Sequence, residues 1–370
     1  MRIAIVMPLA EQRGGAEAAL RQLMRKGRDE GVGWHVVLLE EGPMIDELRE
    51  LGVSTSVVRA GRLRQLHLYV RSVFQIRSIA KRERIDLIVS WMSKAHLYVG
   101  VASLIWRLPS VWYQHGIPTR GWIDRLATIL PTRGVIATSK AAADAQARLR
   151  PVRRCRVVHP GIDLTRFDPS ALPPKEAARQ ALGLPTEDHL IGFFGRLQRW
   201  KGVSVLVDAM PPVLESFPSA HCVIVGGKHD LEPDYPSALH RQIGARGLAD
   251  HVTLAGFQSD VPTWMQAMDV IVLPSSNEPF GITVIEAMAM GKPVVAGDSG
   301  GPREIVTNGV DGVLVPHDDA NAVAGAILDY LRQPSFAARV STAARERGEH
   351  FTADRYALEL VHALRELSVS

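Results

Sequence analysis

The sequence predicts an α/β protein with two Rossmann-like domains, and two observations carry this prediction. Short apolar runs typical of buried parallel strands alternate along the chain with segments of helical apolar spacing. The alternation stops in a Pro- and Ala-rich segment at 168–185 and then begins again. A chain of 370 residues is long enough for two such cores. We therefore expect one domain at 1–165, a second at 166–350, and a final amphipathic helix at 351–370.

The first half contains a series of predicted strands and two segments that bear on function. The strands are Arg2–Met7, 36–39, 53–58, 85–90, 110–113, 134–138 and 156–159. Gly14 and Gly15 follow the first strand and open a helix, where a glycine pair lets backbone amides approach a phosphate or a substrate edge. A plain tight turn is the alternative. The segment 66–80 has helical apolar spacing interleaved with arginines, so it is either a core helix with a solvated basic face or a membrane-surface contact.

Two strand ends in the first half carry candidate acceptor-binding residues. Trp91 follows the strand at 85–90, and His115 stands beside Gly116 after the strand at 110–113. Residues at the carboxyl end of a strand face the ligand crevice in doubly wound sheets. Trp91 is therefore a candidate for an acceptor pocket, with ordinary loop packing as the alternative. For His115 the alternative to an active-site role is a structural one.

The second half repeats the alternation and adds two cations. Its predicted strands are 189–194, 222–225, 251–254, Val270–Leu273, 294–296 and 312–315. Arg196 follows the first of these strands, and Lys201 precedes a helix that Pro211 and Pro212 should interrupt. Two cations that bracket a strand-to-helix turn can clamp a diphosphate, Arg through its planar guanidinium and Lys as a point charge.

Two carboxylates frame the start of another helix. Glu278 lies in the loop after the strand Val270–Leu273, and Glu286 lies one turn inside a helix at 282–290. Between them, Gly281 lets the backbone approach a ligand closely, and the free N–H groups of the helix start attract an anion. Carboxylates that accept hydrogen bonds from hydroxyl groups, beside amides that attract negative charge, suit a ligand with both a sugar and a phosphate.

Taken together, these motifs resemble those of the retaining glycosyltransferases of family 4, which have the GT-B fold. The resemblance covers nearly the whole chain. The motifs that carry it are Gly14-Gly15-x-Glu17, Pro160-Gly161-Ile162-Asp163, Gly195-Arg196-Leu197-x3-Lys201-Gly202, Glu278-Pro279-Phe280-Gly281-x4-Glu286 and the Gly-Lys-Pro-Val-Val run at 291–295. The resemblance implies that the two Rossmann-like domains face a central cleft and that the final helix crosses back onto the first domain. It also implies that an acceptor binds the first domain and a sugar nucleotide the second.

The resemblance also implies roles for individual residues. Arg196 and Lys201 would hold the donor diphosphate, Glu286 the ribose and Glu278 a sugar hydroxyl, while His115 would position the donor sugar. The catalytic candidates are thus His115, Arg196, Lys201 and Glu278. The donor-binding candidates are Gly15, Gly195, Arg196, Lys201, Gly226, Phe257, Glu278, Phe280, Gly281, Ile282, Thr283 and Glu286. The acceptor-binding candidates are Gly14, Glu17, Trp91 and His115.

The implied reaction is hexosyl transfer, with retention of the anomeric configuration, from a UDP or GDP sugar to a glycan or a lipid-linked acceptor. We expect no cofactor. We also expect no metal, because Arg196 and Lys201 can neutralise the diphosphate and no Asp-x-Asp stands near a strand end. A sugar-nucleotide epimerase of the same fold and a catalytically inactive sugar-nucleotide-binding relative are the alternatives. A phosphorylase would need a pyridoxal lysine site and a far longer chain.

Charge is unevenly distributed between the two halves. Residues 1–165 carry 26 Lys and Arg against 14 Asp and Glu, a net +12, whereas residues 166–370 carry 17 against 25, a net −8. Such a split indicates different partners, with the first half facing something anionic, such as a membrane surface. The basic positions considered are those within 66–80 together with Arg148, Arg150, Arg153, Arg154 and Arg156. Solubility alone is the alternative, and no nucleic-acid partner is expected.

Composition and cysteine use indicate a compartment. A hydrophobic content of 46% and a charged content of 22% are ordinary for a globular protein. Two cysteines imply no disulfide framework, so a reducing cytoplasm is expected. The apolar start at 1–9 favours a first strand over a signal peptide, and the apolar run at 97–106 is shorter than the ~18 residues that span a bilayer. We expect a cytoplasmic protein, with peripheral attachment at the inner face of the membrane if the basic half binds lipid.

One motif points to a different chemistry. The hexapeptide at 297–302, Gly-Asp-Ser-Gly-Gly-Pro, matches the nucleophile signature of chymotrypsin-like proteases. That chemistry needs a β-barrel with His and Asp partners that activate the serine. Because the hexapeptide follows a predicted parallel strand in an α/β half, we reject the protease interpretation of Ser299.

Overall fold

The chain folds into two compact units. The computed structural model describes residues 1–11, 14–27, 30–119, 121–150 and 154–369. One unit comprises Met1–Gly161 and Ala353–Ser370, and the other comprises Ile162–Thr352. Each unit contains one sheet of parallel strands, which confirms the predicted α/β class with two Rossmann-like domains. The division after Gly161 falls four residues before the boundary that the sequence suggests.

The first unit is built on a seven-stranded parallel sheet with the order β3-β2-β1-β4-β5-β6-β7. Its strands are β1 Arg2–Met7, β2 Gly33–Leu38, β3 Ser54–Val57, β4 Leu87–Trp91, β5 Ser110–Gln114, β6 Val135–Ala137 and β7 Cys155–Val157. Its helices are α1 Gly15–Lys26, α2 Met44–Glu50, α3 Leu66–Arg82, α4 Met92–Trp106, α5 Trp122–Ile129 and α6 Lys140–Leu149. Sequence periodicity identifies α3, but it does not identify α4 or α5.

Both faces of this sheet are covered, and β1 shows how the sequence achieves it. Successive side chains of a strand point to opposite faces. Ile3 and Ile5 accordingly pack with buried residues of α1 and α2, whereas Ala4 and Val6 pack with those of α3 and α4. A strand buried on both sides has no polar face, which is why these strands appear as continuous apolar runs.

The second unit has a six-stranded parallel sheet with the order β10-β9-β8-β11-β12-β13. Its strands are β8 Leu190–Phe194, β9 His221–Val225, β10 Val252–Gly256, β11 Val270–Leu273, β12 Val294–Gly297 and β13 Val313–Val315. Its helices are α7 Lys175–Ala181, α8 Val203–Ser216, α9 Tyr235–Ala245, α10 Val261–Ala267, α11 Ile282–Ala289, α12 Pro302–Ile305, α13 Ala320–Arg332 and α14 Pro334–Gly348. In this order the chain starts at β8, builds outward to β10, and then reverses to β11 on the other side.

The helix α8 contradicts one expectation. Pro211 and Pro212 lie inside a helix that continues to Ser216, instead of interrupting it. Each proline removes one backbone donor from the helix. The buried face of the helix, which includes Val207, Met210 and Val213, continues through the proline pair. Packing of that face into the core explains why the helix persists despite its two weakest residues.

The last helix, α15 Ala353–Ser368, belongs to the first unit. Its residues Tyr356, Leu360 and Leu364 are buried in the core cluster that contains the side chains of β1 and α1. Where the chain enters and leaves the second unit, Ile162 pairs with Thr352 in a parallel bridge, and the Ile162 N–H donates to the Phe351 carbonyl at 2.9 Å. The two segments that delimit the second unit therefore lie side by side.

Candidate active site

The donor-binding candidates collect at the carboxyl edge of the second sheet. The strand order reverses between β8 and β11, and ligands of open α/β sheets bind outside the carboxyl ends of strands at such a reversal. Arg196 follows β8, and the loop with Glu278 follows β11. The Ser276 N–H donates to the Trp200 carbonyl at 2.8 Å, which joins the segment after β11 to the segment after β8.

Lys201 and Glu278 meet at this reversal. The Lys201 Nζ lies 2.5 Å from Glu278 Oε2, and the two side chains are only 16% and 14% exposed. Lys201 also lies over the Trp200 ring, 4.3 Å from its centroid. Gly202, with φ of +75°, follows directly, and a Cβ there would lie 2.2 Å from the Pro274 carbonyl oxygen. Only glycine allows the turn that carries Lys201 to pack this closely against the end of β11.

Arg196 lies in a loop pressed against its neighbour. A Cβ at Gly226 would lie 1.8 Å from the Gly195 carbonyl oxygen, so the loops after β8 and β9 touch through their backbones. The Gly195 N–H donates to Val225 at 3.0 Å, and the Leu197 N–H donates to Gly227 at 2.9 Å. These bonds fix the backbone on both sides of Arg196, whose own side chain is half-buried. The Arg196 side chain therefore extends from a fixed backbone at the end of β8.

The helix α11 begins at the site through Gly281, which has φ of +111°. Within the described part of the chain, no side chain caps this helix start. The half-buried Ile282 and Thr283 form its first residues, so their backbone N–H groups belong to the unpaired first turn that attracts anions. This geometry agrees with the arrangement that the sequence suggests for the loop between Glu278 and Glu286.

The hexapeptide with the protease-like signature supports this loop through its glycines. A Cβ at Gly300 would lie 2.1 Å from the Glu278 carbonyl oxygen, and one at Gly301 would lie 2.2 Å from that of Phe280. The Gly301 N–H donates to the Glu278 carbonyl at 2.9 Å. The hydroxyl of Ser299 donates to the Ser276 carbonyl at 2.5 Å. Ser299 is thus a loop-fixing residue in an α/β unit, as the rejection of the protease interpretation requires.

Glu286 combines burial with a nearby cation. Burial raises the pKa of Glu286 to about 7, and the charge of Arg166 acts in the opposite direction. The Arg166 guanidinium also donates to the Ser259 carbonyl at 3.0 Å. The sequence does not indicate a role for Arg166, because this residue is distant along the chain from the motif that contains Glu286. Burial thus brings the titration of Glu286 from the acidic range toward neutral pH.

The two aromatic donor candidates differ in exposure. Phe257 is 71% exposed, and its Cβ lies 3.3 Å from where a Cβ of Gly227 would stand. Phe280 is only 3% exposed and packs edge-on against Phe351 at a centroid distance of 5.8 Å. The side chain of Phe280 is therefore part of the core, and only its backbone faces the loop. Phe257 offers a free ring face beside Gly226 and Gly227.

In the first unit, His115 is held between two aromatic rings. Its ring centroid lies 4.6 Å from that of Trp91 and 4.0 Å from that of Tyr113. The Nε2 atom is buried, and none of the described residues hydrogen-bonds to it. Burial lowers the pKa of His115 to about 3, so the imidazole is neutral at physiological pH. A neutral ring of this kind can exchange a hydrogen bond with a ligand, but it is a very weak base.

Two acceptor-binding candidates, Trp91 and Glu17, are buried. Trp91 has no exposed surface, and its Nε1–H donates to the Ala16 carbonyl at 2.9 Å. This bond ties the end of β4 to the segment that begins at Gly14 and Gly15. Glu17, in the first turn of α1, is 3% exposed. In this structure Trp91 supports the His115 ring and the start of α1, a role that strand-end position alone does not reveal.

Other residues at the same edge are absent from the sequence-based candidates. Ser93 Oγ lies 3.2 Å from Asp124 Oδ1, and Asp124 Oδ2 accepts from the Thr119 N–H at 2.7 Å. Met92, immediately after β4, has φ of +76°, which is rare for a residue other than glycine. Gln114 lies 3.4 Å from Ser93 and is 2% exposed. These contacts join α4, β5 and α5, so no local sequence pattern could indicate them.

The described structure contains neither a cluster of metal-binding side chains nor a membrane-spanning helix. Across residues 1–11, 14–27, 30–119, 121–150 and 154–369, no three His, Cys, Asp or Glu side chains are grouped so that they could hold a metal ion. Among the same residues, none of the helices combines the length and the apolar character needed to span a bilayer.

Family models match both parts of the chain. The model described as glycosyl transferases group 1 matches residues 174–347, and the model described as glycosyltransferase family 4 matches residues 13–166. The chain is 33% identical over 204 residues to the lipopolysaccharide core biosynthesis mannosyltransferase LpsB of Rhizobium meliloti, covering 54% of this chain and 58% of that protein. It is 34% identical over 218 residues to the D-inositol 3-phosphate glycosyltransferase of Corynebacterium urealyticum, covering 58% and 51%. The matched region spans about half the length of these curated relatives.

Solved structures match over almost the full chain. The crystal structure of Anabaena HepE in complex with UDP has a TM-score of 0.84 and 28% identity, covering 99% of this chain and all of that one. The complex of the same protein with UDP-glucose has a TM-score of 0.85 and 27% identity, with the same coverage. WaaG, a glycosyltransferase involved in lipopolysaccharide biosynthesis, has a TM-score of 0.77 at 16% identity, covering 98% and 99%. That last likeness concerns the fold alone.

Proposed function

Because the chain belongs to family 4 of the glycosyltransferases and has their GT-B fold, we propose that it transfers a hexosyl group from a nucleoside-diphosphate sugar to an acceptor with retention of the anomeric configuration. The observation that carries this proposal is the meeting of Lys201 and Glu278 at the strand-order reversal, beside Arg196 and the open start of α11. The sugar nucleotide would bind the second unit and the acceptor the first.

The donor is proposed to be a UDP sugar. HepE, which resembles this chain over its full length, binds UDP and UDP-glucose. Arg196 and Lys201 would hold the diphosphate, and the backbone amides at Ile282 and Thr283 would add partial positive charge. Glu286 would accept hydrogen bonds from the ribose hydroxyls. The exposed ring of Phe257, beside Gly226, would cover the base.

In the reaction, the bond between the anomeric carbon and the leaving phosphate oxygen breaks, and the acceptor oxygen forms a bond to the same face of that carbon. The proton of the acceptor hydroxyl passes to an oxygen of the leaving phosphate. Negative charge grows on the diphosphate during this step, so Arg196 and Lys201 would stabilise the transition state more than the ground state. Because these two cations supply that stabilisation, no divalent metal is required.

Glu278 and His115 would position the sugar. Glu278 would accept a hydrogen bond from a sugar hydroxyl once its pairing with Lys201 is broken. His115 is neutral at physiological pH because its pKa is about 3, so it would donate or accept a hydrogen bond through Nε2 and would not act as the general base. This agrees with proton transfer to the leaving phosphate.

The acceptor is proposed to be a glycan or a lipid-linked precursor. One relative acts in lipopolysaccharide core biosynthesis, and the first half of this chain carries a net charge of +12. We propose that the protein acts at the cytoplasmic face of a membrane, attached peripherally, because basic side chains near an anionic surface contribute ~1 kcal/mol each.

The test combines binding with product analysis. Thermal shift with UDP, GDP and ADP identifies the base, because a ligand of the native state raises the melting temperature according to its affinity. The matching sugar nucleotides are then incubated with lipid-linked acceptors, and the anomeric configuration of the product is read by NMR. Transfer with retention is expected. Conversion of the donor sugar without an acceptor would indicate an epimerase, and absence of any turnover with every donor that binds would indicate an inactive relative.

A further inference from the structure

The largest concentration of exposed apolar side chains in the described structure lies on one side of the first unit. Of fourteen large hydrophobic residues that are exposed, eight belong to α3, to the end of α4 and to α5. Isolated exposed apolar residues are ordinary, but a continuous set of them marks an interaction site. The three helices are neighbours, because α4 packs against both α3 and α5.

The helix α5 carries an apolar stripe on its outer side. Trp122, Leu126 and Ile129 are 64%, 41% and 66% exposed, and their spacing of four and three residues places them along one side of a helix. Ala127 and Thr128, on the inner side, are buried. A helix that only covers a core would be polar on its outer side. Instead, both sides of α5 are largely apolar.

The helix α3 carries a second stripe with the same geometry. Leu66, Val70 and Phe74 follow one another at intervals of four residues and are 72%, 51% and 54% exposed. The Phe74 ring packs against Trp106, at the end of α4, with a centroid distance of 5.0 Å. Next to Trp106, Ile105 and Leu104 are also exposed. The end of α4 therefore extends the α3 stripe toward α5.

Arginines border these stripes. Leu104 and Ile129 line a hollow of about 400 Å³ together with Arg133, Arg150 and Arg154. Arg71 on α3 and Arg125 on α5 are exposed beside the apolar stripes. We call the two stripes, the end of α4 and these arginines the apolar–arginine face. Arg153 is also basic, but it lies outside the described residues.

The charge of the first half is concentrated in the part of the sequence that forms this face. Residues 62–156 contain eighteen Lys and Arg against four Asp and Glu, a net +14, which exceeds the +12 of the whole first half. Part of this charge is paired, since Arg82 contacts Glu83 at 2.9 Å and Arg154 contacts Glu366 of α15 at 3.6 Å. Four acidic residues within the stretch cannot neutralise its eighteen basic ones, and the exposed Arg71 and Arg125 place part of the remaining positive charge on the face.

We propose that the apolar–arginine face docks on an anionic membrane surface, with the α3 and α5 stripes inserted at the headgroup boundary and the arginines bound to lipid phosphates. Transfer of the apolar side chains out of water lowers the free energy of membrane binding, and the attraction between the arginines and anionic lipid lowers it further. A second copy of this chain would bring two cationic faces together, which like-charge repulsion opposes. A nucleic acid would satisfy the arginines but not the exposed Trp122, Phe74 and Ile129.

The α5 stripe connects the apolar–arginine face with the carboxyl edge of the first sheet, where the acceptor is proposed to bind. The α5 stripe begins at Trp122, two residues before Asp124, whose carboxylate contacts Ser93 beside Gln114 at the carboxyl edge of the first sheet. A lipid-linked acceptor in the same membrane would therefore reach that edge by diffusing in the bilayer plane. The proposal refines the membrane attachment suggested above, and docking itself does not require glycosyl transfer.

The test is sedimentation with vesicles of phosphatidylcholine, with and without phosphatidylglycerol. The wild-type protein should bind only the vesicles that contain phosphatidylglycerol, and binding should weaken as salt is raised. Trp122→Ser with Ile129→Ser should lower the partition coefficient by about tenfold or more. Arg71→Glu with Arg125→Glu should lower it by about twentyfold or more, since each basic residue contributes about a factor of five.

Leu358→Ser provides the matched control. Leu358 is 54% exposed on α15, which packs with the opposite face of the sheet, so its loss should leave vesicle binding unchanged. Melting temperatures and hydrolysis of UDP-glucose in solution are measured for every variant. A variant that loses vesicle binding but still hydrolyses UDP-glucose supports docking through this face. If the proposed glycosyl transfer is wrong, hydrolysis should be absent while vesicle binding is retained.

Three outcomes would overturn the proposal. The first is unchanged vesicle binding in both double variants. The second is binding to DNA as tight as to anionic vesicles, with loss only in the arginine variant, because this would indicate a general polyanion site. The third is a dimer that ignores vesicles and dissociates on Trp122→Ser with Ile129→Ser, because a second copy would then cover the face.

Discussion

The Nζ atom of Lys201 lies 2.5 Å from Oε2 of Glu278, so the cation proposed to bind the diphosphate is already paired with the carboxylate proposed to bind the sugar. A nucleotide that draws Lys201 away must break this ion pair and leave Glu278 near its own phosphates. Once a sugar is present, its hydroxyl can satisfy the released carboxylate. A nucleoside diphosphate without a sugar offers no such compensation, which would favour release of this product after transfer.

Glu278→Gln should therefore tighten the binding of UDP. Removing the competing carboxylate should lower the dissociation constant of UDP by roughly five- to thirtyfold, which corresponds to about 1–2 kcal/mol in binding free energy. UDP-glucose should gain much less, because it loses a charge-assisted hydrogen bond of ~1.5–3 kcal/mol. Isothermal titration of both ligands gives the two constants. Asp208→Asn, which breaks the surface pair with Arg246 at 3.0 Å, should change neither. Unaltered UDP affinity in Glu278→Gln would disprove the competition.

Lys201→Ala should lower turnover by ~100-fold or more, the usual loss when one group that stabilises transition-state charge is removed. Lys201→Arg should recover part of this loss, because it restores the charge with a different shape. Initial rates of glycosyl transfer at saturating donor measure the effect. Arg246→Ala removes an exposed cation of the same unit and should be neutral. If Lys201→Ala retained the turnover of the wild type, Lys201 could not be the residue that stabilises the leaving diphosphate.

Donor affinity should depend on pH through Glu286. Burial raises the pKa of this carboxyl group to about 7. Only the ionised form accepts hydrogen bonds with both oxygens, so UDP-glucose should bind more tightly as pH rises toward 7 and reach a plateau above it. UDP-glucose is the suitable ligand because its phosphates do not titrate in this range.

Two variants test whether ionisation of Glu286 causes the pH dependence of UDP-glucose binding. Glu286→Gln should abolish the pH dependence and weaken binding at high pH. Arg166→Ala should shift it to higher pH, because Arg166 favours the ionised form of Glu286. Arg246→Ala should leave it in place. A pH dependence that persists in Glu286→Gln would assign it to another group.

Gly226→Ala should destabilise the protein, because a Cβ would meet the Gly195 carbonyl oxygen at 1.8 Å. Relief of this clash must move the loop that carries Arg196, at a cost of ~1–3 kcal/mol in the free energy of unfolding. Gly244→Ala is the matched control, because a Cβ at that α9 position would meet no atom of the described residues within 4 Å apart from the neighbouring backbone of its own helix. It should stabilise the protein by ~0.5–1 kcal/mol. Denaturant titration compares the two, and equal stability of both variants would contradict the close contact of the loops.

Glycosyl transfer should survive chelation of divalent metals, because Arg196 and Lys201 are proposed to neutralise the diphosphate. Rates are compared before and after treatment with EDTA. Complete loss that Mg²⁺ or Mn²⁺ restores would show that a carboxylate site for a metal takes part in the reaction.

The sequence was sufficient for the fold class and for placing Arg196 and Glu278 at the carboxyl edge of the second sheet. Continuous apolar runs identify strands buried on both faces, and the glycine-plus-cation motifs lie at their carboxyl ends, as β8 and Arg196 illustrate. The helix α8 shows where local rules fail, because packing of Val207 and Met210 outweighs two prolines. Trp91 shows a second limit, since position at a strand end does not tell whether a side chain faces the ligand or the core. Arg166 and Asp124 depend on contacts between distant segments, which no local pattern contains.

The side-by-side position of Ile162 and Thr352 has a consequence for protein engineering. Adjacent parallel segments lie ~4.8 Å apart, so the second unit is an insertion whose two ends nearly coincide. A loop of a few residues from Gly161 to Ala353 should therefore close the first unit without the second. A fragment that stops at Gly161 would instead lack Tyr356, Leu360 and Leu364, and its core would be open to solvent. During synthesis, likewise, the second unit can complete its core before the first can, so early chains would depend on chaperones to shield the unfinished sheet.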